Sequence, residues 1–116
     1  MKKSKYKEIF KLKRMLEESK IPFEWFDRSV SFKNTTPALE MFEHYQICYP
    51  RKKQGERWIS VIEGDGSYGH EDDKLEIMGG FTRLEVYEED PTVKGWLTAN
   101  NVYKRIKTHW EENKNV

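Results

Sequence analysis

Cysteine is nearly absent from this chain. Cys48 stands alone, so no intramolecular disulfide can form, and a thiol-based zinc site would lack ligands. That scarcity predicts a reducing, cytoplasmic setting. Long apolar runs are missing too. No stretch approaches the ~20 apolar residues a membrane helix needs, so no membrane partner is expected. The Lys-rich N-terminus leads into no apolar segment of signal-peptide type. His44, His70 and His109 have no ligand-like spacing, and nothing resembles a Ser-His-Asp arrangement. Cys48 and His44 lie too far apart along one strand to act as a nucleophile pair, so Cys48 reads as a structural thiol. No catalytic residue, metal ligand or cofactor is assigned from the sequence.

What is present suits a small globular protein. The chain has 116 residues, 14% of them aromatic, enough large side chains to build a core despite a modest apolar fraction. This size predicts a single domain spanning 1–116. The net charge of +1 hides a strong asymmetry. Residues 1–20 carry +5, 21–62 carry +1, 63–90 carry −8 and 91–116 carry +3. Either the basic ends pack beside the acidic middle and neutralise it, or the molecule presents one cationic and one anionic face.

The apolar pattern predicts the elements. From Ser4 to Ser19, Tyr6, Ile9, Leu12 and Leu16 fall on one side of a helix, with Phe10 at its margin. Ser4 is the candidate N-cap, and Pro22 stops the helix. Ile21 to Phe26 reads as a strand. Ser31 to Pro37 is a polar connection, and a short turn is placed at Pro37 to Met41. His44 to Tyr49 and Arg57 to Glu63 read as an antiparallel hairpin joined by a basic loop. The second of these strands is apolar almost throughout, which predicts a central position. Gly64 to Gly69 is a loop. Glu71 to Met78 suits a strand through Leu75 and Ile77. It suits a short helix through Leu75 and Met78, with Asp72 or Asp73 at its start, and the helix is the favoured reading. Thr82 to Tyr87 adds a weak strand. Thr98 caps a final helix that ends near Glu112, with Val102, Ile106 and Trp110 on one face. The expected fold is α+β: an antiparallel sheet of three or four strands packed against the N- and C-terminal helices.

Three site readings follow, each set against a plainer one. Glu63, Asp65, Asp72 and Asp73 crowd together beside Lys74, as hard-cation chemistry in a metal-dependent nuclease would require. Asp72-Asp73-Lys74, however, follows a glycine loop instead of lying on a core strand, so a solvated acidic loop is the stronger reading. The glycine run around Tyr68 lacks the lysine of a phosphate loop and is ringed by acids. Arg51, Lys52, Lys53 and Arg57 surround the hairpin loop, as nucleic-acid binding would require, with Tyr45, Tyr49 and Trp58 as stacking candidates unless they form the core.

The runs HYQICYP, RWISVIEGDGSYGHEDDKLEIMGG and GWLTANNVYKRIKTHW, with the opening KLKRMLEESKIPFEW, resemble small uncharacterised proteins encoded by phages and prophages of Gram-positive bacteria. The resemblance spans nearly the whole chain. It implies an origin and no catalytic residues. The expected role is that of an accessory protein that binds a host or phage protein without catalysis, through Glu63, Asp65, Tyr68, Asp72 and Asp73. Exposed tyrosine within an acidic rim suits a basic partner surface. Nucleic-acid binding through the basic loop and helix faces is the alternative, and a metal-dependent nuclease comes third.

Overall fold

The computed structural model describes residues 5–31, 41–51, 57–81 and 93–113. The readings made for Ser4, for 32–40, for Lys52 and Lys53, and for the strand at Thr82 to Tyr87 fall outside these residues.

Helix α1 (Glu8–Glu18) forms where the apolar stripe predicts it. Tyr6, Ile9, Leu12 and Leu16 are all buried. Its C-terminus is closed by two backbone bonds, Ile21 N–H to the Leu16 carbonyl and Lys20 N–H to the Glu17 carbonyl. This is the Schellman arrangement, in which the residue after the cap takes a left-handed conformation and is usually glycine. Lys20 occupies that place with φ 57°.

The strands follow: β1 (Glu24–Asp27), β2 (Val30–Ser31), β3 (Met41–Phe42), β4 (His44–Tyr49), β5 (Ile59–Gly64), β6 (Leu75–Gly79) and β7 (Val93–Leu97). Helix α2 (Ala99–Asn113) closes the order. β1, β4, β5, β6 and β7 form one antiparallel sheet in that spatial order, and β2 pairs with β3 separately. β5 is central, as its apolar run predicts. Trp25, Ile47, Val61 and Ile77 stand in register across four strands, on the face that meets the helices. Burying each of the three aliphatic side chains, Ile47, Val61 and Ile77, is worth about 1.5–3 kcal/mol. The next row, Phe26, Gln46, Ile62 and Glu76, lies on the opposite face.

Three expectations are corrected. The main sheet has five strands, not three or four. Glu71 to Met78 is not a helix. A 3-10 turn covers His70–Asp72, and Asp73 then takes a left-handed conformation at φ 54° that a helix cannot pass through. β6 begins two residues later, with Leu75 and Ile77 buried and Met78 58% exposed, which is period-two burial. β7 was not anticipated, and its pairing with β6 is irregular. Ile77 opposes Lys94 while Leu75 opposes Leu97, so β7 carries one extra residue there. At Met41, expected in a turn, the backbone pairs with Ser31.

Candidate functional site

The acidic corner lies where the β5–β6 connection meets the start of α1. Most of its carboxylates point inward. The first N–H groups of a helix have no intrahelical partner, and here acids from far along the chain supply one. Asp73 Oδ1 accepts from Lys7 N–H at 2.9 Å and Glu8 N–H at 3.2 Å. Glu63 Oε1 accepts from Ile9 N–H at 3.0 Å. Glu8 in turn accepts from Ala99 N–H at 2.9 Å and caps α2, where Thr98 Oγ1 also accepts from Asn101 N–H at 3.1 Å, as expected for an N-cap.

Glu63 is fully buried. Burial, then the hydrogen bond to the Asp73 carboxylate, pushes its pKa up to about 9, against the opposing pull of the Ile9 N–H. At neutral pH it is therefore a neutral acid. Its Oε2 is buried without a hydrogen-bond partner among the described residues, a place where a charged oxygen would be costly. Burial works against charge on Asp73 as well, but the bonds from Glu63, Glu8 N–H and Lys7 N–H outweigh it and hold the pKa low. The pair carries one proton and one negative charge. Asp65 is likewise engaged. It accepts from the Tyr6 hydroxyl, from Lys5 Nζ at 2.7 Å and from Glu43 N–H at 2.9 Å. Burial alone would raise its pKa, yet Lys5, Tyr6 and the Glu43 amide bring it down to about 2. Burial and the Asp65 carboxylate together push the Tyr6 phenol well up.

Glu63, Asp65 and Asp73 thus serve the fold. Tyr68 and Asp72 face outward, and the structure adds Trp96 to them. Tyr68 is 58% exposed and Trp96 56%. Their rings stack with centroids 6.2 Å apart and planes 12° apart. The Trp96 indole N–H donates to Asp72 Oδ2 at 3.2 Å. Tyr68 N–H donates to Glu76 at 2.7 Å. Gly95 permits this closeness, since a Cβ there would lie 2.6 Å from the Tyr68 Cβ. Trp96 itself sits at φ 58° within the irregular β6–β7 pairing, a conformation that is a genuine outlier for a bulky side chain. Position 96 was missed in the sequence because its backbone conformation depends on that extra residue. The available signal was a Gly-Trp pair just before the Thr98 cap.

The basic residues separate. Arg51 lines a groove with the C-terminal end of α1. Arg57 lines a different one, on the sheet face away from the helices, with Gln46 and Met78. Tyr45 and Tyr49 are buried in the core, and Trp58 packs against it. Among the described residues, no group of three or more His, Cys, Asp or Glu side chains could hold a metal ion, and no helix is long and apolar enough to cross a membrane.

A scan against protein-family models, a search of curated proteins and a search of solved structures each returned no match.

Proposed function

We propose that this chain is a non-enzymatic protein-binding module of the phage or prophage accessory type, and that Tyr68 and Trp96, with Asp72 at their rim, form its contact surface. The phage origin rests on the sequence motifs alone. The binding role rests chiefly on one observation: a stacked Tyr–Trp pair stands in solvent on a backbone conformation that disfavours the tryptophan. Strain of this kind costs on the order of 1–3 kcal/mol and persists where surrounding structure enforces it, often at functional sites. Aromatic side chains dominate binding hot spots, and charges at the rim steer encounter. Asp72 and Glu71 give this rim a negative sign, which suits a basic partner with an apolar pocket.

The test begins with affinity capture from host lysate after nuclease treatment. The captured protein is then titrated in pure form against wild type and a Tyr68→Ala/Trp96→Ala variant. A loss of affinity of about tenfold or more in the variant is expected. Equal affinity of the two proteins would remove this surface from consideration.

A further inference from the structure

A second surface lies at the other end of α1. Lys13 and Glu17 from α1, Lys20 just past its C-cap, Trp25 from β1, Arg51 beyond β4 and Trp110 from α2 line an open groove of about 700 Å³. We propose that this groove binds single-stranded nucleic acid, with phosphates on Lys13, Lys20 and Arg51 and a base against Trp110.

Four observations carry this. The three cations come from two places in the chain, the end of α1 and the residue beyond β4, and converge on one trough. Its indoles are held ready: Trp25 is stacked on Tyr45 with planes 16° apart, with the Lys13 ammonium 5.2 Å from its ring centre. Trp110 is half-buried, with part of its ring packed against the core, and among the described residues no aromatic ring stacks on it, so its outer part is the platform offered to a base. Arg51 is fixed to the wall by its Nε–H bond to the Phe23 carbonyl at 3.2 Å. The fourth observation concerns Lys20, which sits where the helix-ending motif prefers glycine. A lysine stands at that place although its backbone is disfavoured, and it lines the groove. Cations tracking a backbone beside aromatic platforms are the usual means of gripping single strands. An acidic peptide would satisfy the cations and leave the Trp110 ring without a stacking partner. Among the described residues that line the groove, Glu17, 3.7 Å from Lys13 Nζ, is the one acidic side chain.

The experiment titrates a fluorescein-labelled oligothymidylate, and separately a poly-glutamate peptide, into the full chain over a range of salt. The three cations predict a log–log salt slope of about −2 for a single strand. A Lys13→Gln/Lys20→Gln/Arg51→Gln variant should bring that slope close to zero. Trp110→Leu should weaken binding about tenfold, and Glu17→Gln should strengthen it a few-fold. Lys20→Gly separates function from folding: it should weaken binding while raising the melting temperature by about 2–5 °C. Oligothymidylate binding that the cation variant leaves unchanged would overturn the proposal. So would absence of binding at low salt, or tight binding of poly-glutamate in its place.

Discussion

The two ends of α1 use charge in opposite ways. At the N-terminal end, Asp73, Glu63 and Asp65 turn into the protein and meet N–H groups, a phenol and an ammonium. The aromatic pair reaches outward, with Asp72 and Glu71 at its rim. At the C-terminal end, Lys13, Lys20 and Arg51 line an open trough. Side-chain length and donor chemistry account for the difference. A short carboxylate is the natural acceptor for the unfilled donors and positive dipole of a helix start. A long cation lays its stem on the protein and keeps its head in water. The ends lie about 16 Å apart, from 1.5 Å of rise per residue. A dense run of acids in the sequence therefore marked a structural joint, and scattered lysines marked an accessible surface.

The comparison breaks most sharply at Asp73. Replacing it with alanine leaves two helix N–H groups and the Glu63 carboxyl without an acceptor, and should cost about 2–3 kcal/mol of stability. Asp73→Asn, which keeps an acceptor, should cost less. Urea unfolding of both variants measures the difference.

Glu63 gives the next largest effect, and it depends on pH. Its pKa is raised from 4.5 to about 9 on folding. The folded state thus holds a proton that the unfolded state releases. That contribution is whole below pH 4.5 and is lost as pH rises through about 9. Glu63→Gln should therefore flatten the decline of stability across this window and be more stable than wild type at its alkaline end. Asp65 runs the other way. Its pKa falls from 3.8 to about 2, so its contribution is present above 3.8 and disappears as pH falls through 2. Asp65→Asn should flatten the acid limb. Thermal melts across pH check both.

Much of the fold was legible in the sequence. The α1 stripe, the β4–β5 hairpin, the central place of β5 and the Thr98 cap each follow from spacing within a few residues. The β6 segment was ambiguous because Leu75 suits both periods. What excluded the helix was the left-handed backbone of Asp73, and that conformation is coupled to its long-range bonds with α1. Likewise, Asp65 and Asp73 look exposed in a glycine-rich acidic run until the amides of residues 43, 7 and 8 are brought to them. Trp96 was hidden for a similar reason, since only the β6–β7 register turns it outward beside Tyr68.

Trp96→Gly sharpens the comparison with a smaller effect on folding. Glycine relieves the left-handed strain and forfeits the stacking, so stability should change by less than ~1 kcal/mol. Partner affinity should still fall about tenfold or more. Smallest of all, Glu17→Gln at the other end should alter stability by no more than about 0.5 kcal/mol, as for other surface ion pairs. Chemical unfolding and the binding titrations together resolve these cases.

The reciprocal caps also bear on how the chain acquires its shape in time. The carboxylate that completes the first turn of α1 lies 66 positions beyond Lys7. The one that meets Ala99 at the start of α2 lies 91 positions before it. Closing such long loops costs entropy before any bond returns it, and contacts of this separation slow folding. A ribosome that has synthesised α1 has yet to make the residue that will hold its first turn, so that cap can close only once Asp73 has been made.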